Sequence, residues 1–135
     1  MPCRLDWEQN GVYAKFSGVC TVVDVLHAFE QIGGDVRADD ILFAIFDFLD
    51  VESQNVTESE TEEIAAIDNA LALSFPRLRF ASITTDPRIL ELWRHFISVH
   101  PMPERHGVFP SVAEARAWLA DDETNPGSYP TRHRR

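Results

Sequence analysis

Residues Ile41–Glu63 read "ILFAIFDFLDVESQNVTESETEE". Eight of the first nine are apolar, Asp47 being the exception. That density is too high for a strand with one face in water, so a central strand buried on both faces is expected. The polarity then inverts. Ser53, Thr57, Ser59 and Thr61 fall among Glu52, Glu58, Glu60, Glu62 and Glu63. Two overlapping capping boxes, Thr57 with Glu60 and Ser59 with Glu62, predict a helix start here. The acids suit the positive end of its dipole. A buried strand that delivers a helix at its C-terminal end is the repeating unit of an open α/β sheet, and such sheets bind ligands at that edge.

The flanking sequence continues the alternation. In "RLDWEQNGVYAKFSG" (Arg4–Gly18), Leu5 and Trp7 alternate with polar residues, as do Val12, Ala14 and Phe16. Asn10-Gly11 between them predicts a hairpin with these two residues as its loop, placing Cys3 across from Gly18. Thr21 and Asp24 form a capping box for a helix whose apolar stripe is Val22, Val25, Leu26, Phe29 and Ile32, and Gly33-Gly34 stops it. The helix after the central strand is expected to bury Ile64, Ile67, Leu71 and Phe75 and to end at Pro76. "RLRFASITT" (Arg77–Thr85) reads as a strand. A helix follows with Asp86 as N-cap, Pro87 at its first position and Leu90, Trp93, Phe96 and Ile97 inward. A short strand near Arg105–Phe109 precedes a last helix capped by Ser111 with Glu114, with Val112, Ala115, Trp118 and Leu119 inward. The order is ββαβαβαβα: one α/β domain over residues 1–120, with a mixed, mostly parallel sheet and packed helices. Residues 121–135 have no period and few apolar side chains, and are expected to be a mobile tail.

The chain has 135 residues, 44% of them hydrophobic, which suits one domain with one core. A net charge of −10 argues against a nucleic-acid backbone or an anionic membrane as the principal partner. No stretch approaches the roughly 20 apolar residues of a membrane span. The N-terminal "MPCRLDWEQNG" lacks the apolar core of a secretory signal, so a cytoplasmic location is expected. In that compartment the two cysteines, Cys3 and Cys20, are expected as free thiols, and the Asn55-Val56-Thr57 sequon as unused.

Most catalytic chemistries lack their residues. The single glycine pair ends a helix rather than opening one, so no phosphate loop is present. Lys15, the only lysine, lies in the hairpin, away from where a receiver domain needs it. Asp47 and Asp50 are three apart, not the two of a haloacid-dehalogenase pair. His27, His95, His100, His106 and His133 show no zinc spacing, although Glu91 and His95 are placed to pair along a helix. Neither a metal nor a cofactor is expected, and no enzyme activity.

The hairpin "WEQNGVYAKFSGVCT", the strand "ILFAIFDF" ending in Asp47, and the closing "VFPSVAEARAWL" resemble the STAS-like, or SpoIIAA-like, proteins, related in fold to the bacterial anti-sigma factor antagonists. The resemblance covers about residues 5–120. It implies a regulatory, protein-binding domain without enzymatic activity. In the antagonist branch, an Asp-Ser-Ser-Gly motif opens the second helix, a partner kinase phosphorylates its second serine, and the added charge weakens partner binding. Asn55-Val56-Thr57-Glu58 occupies that place, which makes Thr57 the candidate phosphoacceptor, with Ser59, two residues on, as the alternative. All four motif residues differ, Thr57 alone keeping a hydroxyl, as in a divergent branch of small bacterial proteins that shares the fold. The implied partner-binding rim is Asp47, Asp50, Glu52, Ser53, Asn55 and Glu58. The alternative is a small apolar ligand or lipid in a pocket beneath the helices, lined by Phe29, Phe46, Phe48, Trp93, Phe96 and Trp118. A homodimer is a further expectation, since many small α/β domains pair.

Overall fold

The computed structural model describes residues 3–121, so the expected tail lies outside the described residues from position 122 onward. The strands are β1 (Cys3–Glu8), β2 (Gly11–Cys20), β3 (Phe43–Gln54), β4 (Arg79–Ile83) and β5 (His106–Phe109). The α-helices are α1 (Val22–Gly33), α2 (Glu58–Ser74), α3 (Pro87–Val99) and α4 (Val112–Ala120). Short 3-10 turns at Val36–Asp40 and Pro103–Arg105, not foreseen from the sequence, lead into β3 and β5. The sheet runs β1-β2-β3-β4-β5, antiparallel only between β1 and β2. This is the predicted α/β architecture, with β3 at its centre.

The faces of the sheet follow from the two-residue period of its strands. Val12, Ala14, Phe16, Ala44, Phe46, Phe48 and Phe80 face α1, α2 and α3 in the larger core. Ile45, Ala81 and Ile83 face α4, with Tyr13, Phe43, Phe109 and Trp118 around them. Burial on both sides is why "ILFAIFDF" shows no alternation.

The hairpin differs in register from expectation. Glu8 pairs with Gly11 and Cys3 with Phe16, so the loop is Gln9-Asn10. Asn10 takes the positive φ, 59°, and its amide donates to the Asp40 carbonyl at 3.0 Å. Gly11 belongs to β2, opposite Phe43 of β3. A Cβ there would stand 2.1 Å from the Phe43 ring, so this glycine serves close packing rather than the turn. The slip is by two residues, which keeps Leu5, Trp7, Val12 and Ala14 on their predicted face. Both cysteines are free thiols. Burial, helped by the nearby Asp24 carboxylate, pushes Cys3 up to about 11 and Cys20 up to about 12.

β3 is also longer than its apolar run. Only Phe43–Asp47 pairs with β4, whereas pairing with β2 continues to Gln54. β3 gains one residue on β2 between Asp47 and Asp50 and another between Val51 and Ser53; beside the second bulge Gly18 has φ +67°. The two-stranded arm beyond Asp47 needs no apolar run because it has left the double-sided core.

Helix α2 buries the expected stripe in part. Ile64 is inside and Leu71 and Phe75 pack against the larger core, but Ile67 is 48% exposed. The buried positions are Thr61, Ile64, Ala65, Asp68 and Ala72. A carboxylate thus sits at the centre of the inward face, and its partners lie on other elements.

Candidate partner-binding rim

The end of β3, the loop after it and the first turn of α2 form one edge of the molecule. Thr57 is the N-cap of α2. Its hydroxyl accepts from the Glu60 N–H at 3.1 Å, and the Glu60 carboxylate accepts from the Thr57 N–H at 3.0 Å. The first of the two predicted capping boxes is therefore the one used. Ser59 lies one residue inside the helix and is exposed, as Thr57 is. The loop is fixed from beneath: Asn55 N–H donates to the Cys20 carbonyl at 3.2 Å, and Val56 N–H to the Gln54 side chain at 2.7 Å.

Of the six expected rim residues, Asp50, Glu52, Ser53, Asn55 and Glu58 are exposed. Asp47 is not, at 1% exposure. Its Oδ2 accepts from the Tyr13 hydroxyl and, at 3.0 Å, from Lys15 Nζ, while its Oδ1 accepts from the Leu49 N–H at 2.8 Å. Asp47 is thus a buried staple between β2 and β3, on the α4 side of the sheet, and offers a partner no free oxygen. Burial and the hydrogen bond to Asp47 hold the Tyr13 phenol well above its ordinary range. Partial burial alone would lower Lys15; its bonds to Asp47 and Asp50 outweigh that and raise it. Lys15 also reaches Asp50 at 3.4 Å, tying the first exposed rim acid to the staple.

Five of the six residues expected to line an apolar pocket do converge. Phe48 stands 5.5 Å from Trp93, Trp93 4.7 Å from Phe96, and Phe29 5.1 Å from Phe46, ring centroid to centroid. Trp118 lies across the sheet against Phe109 and Arg79, so it lines no common pocket with them. The five rings fill the space themselves. A cavity of about 30 Å³ remains among residues that include Phe48, Val56, Ile64 and Trp93, room for a water or two.

Sequence reading did not find two groups. Arg79 is completely buried. Its guanidinium lies 4.1 Å from the Trp118 ring centroid and donates to the Trp118 and Leu119 carbonyls at 3.0 and 3.2 Å. Asp68, His100 and His106 place their ligating atoms within 4.8 Å of one another, the one such set of three among the described residues. Their separations in sequence match no motif; the available signal was an aspartate where the helical period puts a core residue. His95 pairs with Glu62 of α2 at 3.1 Å rather than with Glu91.

No family model and no curated protein matches the chain in sequence. Solved structures do match in shape. The Bacillus cell fate determinant SpoIIAA in its phosphorylated form superposes with a TM-score of 0.57 at 12% identity, covering 87% of this chain and 98% of that one. This chain has the SpoIIAA-like fold. An anti-sigma factor antagonist from Mycobacterium paratuberculosis gives 0.56 at 16% identity over 88% and 93% of the two chains. An uncharacterised DUF3478-family protein with a SpoIIAA-like fold, from Shewanella loihica, gives 0.50 at 17% over 87% and 91%. At these identities the SpoIIAA-like likeness is one of fold. No helix of the described residues is long and apolar enough to cross a membrane.

Proposed function

We infer that this domain is a non-enzymatic regulatory module that binds a protein partner through the edge from Asp50 to the first turn of α2. The observation that carries this reading is the exposed, hydroxyl-bearing cap of α2, flanked by Asp50, Glu52 and Glu58, in a fold that two antagonists of anti-sigma factors share. An acidic rim beside the positive end of a helix dipole favours a partner that presents cationic side chains. Thr57 and Ser59 are the hydroxyls at which a phosphate would add further charge. Thr57 already spends its oxygen on the cap, so a phosphate there would displace the Glu60 N–H contact, whereas one on Ser59 would leave it intact.

The test is chemical cross-linking in the native host, followed by binding measurements with the captured partner. Charge reversal at Asp50, Glu52 and Glu58 together is expected to weaken binding at least tenfold, while reversal at an exposed acid remote from this edge, Glu104, leaves it unchanged. Equal binding by the two variants would remove the rim from consideration. Intact-mass analysis after co-expression with host kinases tests the hydroxyls separately. An unphosphorylated 53–61 segment, with phosphomimics that bind normally, would leave the edge as a constitutive surface. The alternative is a small apolar ligand beneath the helices, where five of the aromatic rings converge. Native mass spectrometry of gently purified protein tests it: a retained hydrophobic ligand would support this reading, and a clean apo mass would count against it.

A further inference from the structure

Asp68 lies on the core face of α2 with no exposure, and two histidines from other elements meet it. His106, the first residue of β5, places Nε2 at 2.5 Å from Asp68 Oδ2. His100, just past α3, places Nε2 at 2.7 Å from the same oxygen, at an angle that leaves it without a hydrogen bond. The imidazole centroids are 4.2 Å apart.

The main chain at Met102 fixes the protons. Its N–H donates to His100 Nδ1 at 2.9 Å, so that nitrogen is bare and the His100 hydrogen sits on Nε2. A nitrogen that carries hydrogen is not a metal ligand. The 2.5 and 2.7 Å separations are also shorter than the roughly 3.3 Å between neighbouring ligand atoms around a tetrahedral zinc. The Met102 carbonyl lies 3.1 Å from His106 Nδ1, and a carbonyl only accepts, so Nδ1 carries hydrogen. Two lone pairs do not face each other at 2.5 Å. A proton therefore lies between His106 Nε2 and Asp68 Oδ2. Drawn as imidazolium and carboxylate, or as imidazole and carboxylic acid, the cluster is neutral and holds one proton more than a carboxylate beside two neutral imidazoles. Asp68 Oδ1 is buried with no hydrogen-bond partner, which makes a net negative charge here costly.

We propose that Asp68, His100 and His106 form a proton-binding latch that fastens α2 to the junction of α3 and β5, closed when the shared proton is present and released when it is lost. Among the described residues, those packed against the cluster supply no substitute charge. β4 presents Phe80, stacked on His106 at 5.5 Å, and α3 presents Phe96, 5.2 Å from the same ring. α1 presents Phe29, 5.5 Å from Phe80. The neighbouring Arg105 turns its guanidinium to the Phe75 and Leu78 carbonyls at 3.3 and 3.4 Å. In an unfolded chain above about pH 8, aspartate is ionised and histidine almost wholly neutral. A folded state that keeps the shared proton there binds one proton more than the unfolded state, so its stability falls as pH rises, about tenfold in the folding equilibrium constant per pH unit. The latch stands on this geometry whether or not the Asp50–Glu58 edge binds a protein.

The decisive measurement needs no variant. Long-range proton–nitrogen NMR of the imidazoles and carbon NMR of the Asp68 carboxyl at pH 7.5 should show His100 as the Nε2–H tautomer, with either His106 protonated on both nitrogens or Asp68 protonated. Raising the pH should remove that one proton and, with the same midpoint, accelerate amide exchange in residues 61–72 beyond the intrinsic base-catalysed rate. An ionised Asp68 beside a neutral His106 at pH 7.5 would overturn the proposal. So would stoichiometric Zn²⁺ binding that shifts both imidazoles, or α2 exchange that ignores the titration. Asp68→Asn abolishes the proton site and should flatten the tenfold-per-unit slope in urea unfolding; an undiminished slope in that variant would also refute the latch.

Discussion

At the scale of single residues, Tyr13 and Arg79 each meet specific partners, and that makes their behaviour predictable. Tyr13 is held neutral by burial and by its bond to Asp47. In a Tyr129→Phe chain, where Tyr13 is the only phenol, absorbance at 295 nm should show no ionisation through pH 10, the ordinary tyrosine value. The sign follows: a phenol whose folded value lies above its unfolded one contributes stability that is complete below about pH 10 and is lost as pH rises through the folded value. A normal titration midpoint would mean that the Tyr13–Asp47 bond is absent in solution. Arg79 makes a second case. It ties β4 to the last turn of α4 by two carbonyl bonds and a stacked indole. Arg79→Met keeps bulk but leaves those carbonyls unpaired, and should cost about 2–4 kcal/mol in urea unfolding, with a change in tryptophan fluorescence. Arg79→Lys should not recover it, since an ammonium lacks the planar fork that spans both carbonyls.

At the scale of elements, α2 carries both the candidate edge and the buried cluster, about ten residues or 15 Å apart along its axis. Its two hydroxyls near the start look alike in sequence and differ in role. Thr57→Ala removes the N-cap and should destabilise the domain by about 1 kcal/mol, whereas Ser59→Ala should stay within about 0.5 kcal/mol of the parent. Chemical denaturation of both variants checks this, and equal effects would mean that the helix starts at the second capping box. The same helix shows where the sequence was legible. Strands, helix caps and the double-sided burial of β3 follow from patterns that extend over adjacent residues. The inward stripe of α2 does not, because Asp68 is tolerated in the core only through partners 32 and 38 residues away. The helical period puts position 68 one turn from Ile64 on the inward face, but an aspartate there reads as surface, and the stripe is drawn through Ile67 instead. The Asn10-Gly11 loop failed for a related reason: the glycine answers to Phe43 on another strand, which no hairpin rule includes. Asp47 is expected at the end of its strand; it is where pairing with β4 stops, but β3 runs on to Gln54, and its burial depends on Tyr13 and Lys15 across the sheet.

At the scale of the whole molecule, the charge of −10 is the dominant long-range term. The ion pairs of the described residues, such as Arg116 with Glu8 at 2.7 Å and Arg37 with Asp35 at 2.8 Å, neutralise only a few of the acids of the described surface. Folding concentrates these like charges, so self-repulsion opposes the compact state. Salt acts on this repulsion more than on the short contacts, because the Debye length falls from about 30 Å at 0.01 M to about 3 Å at 1 M while the pairs sit within 4 Å. The same screening weakens any encounter between the acidic edge and a cationic partner. Raising NaCl from 0.01 to 0.5 M should therefore stabilise the isolated domain by about 1 kcal/mol, roughly 3–6 °C in thermal midpoint, while it slows association with a cationic partner. Calorimetry on the domain alone checks the first effect and stopped-flow binding the second. A thermal midpoint that falls with NaCl would mean that the folded surface gains more from its ion pairs than it loses to its unpaired acids.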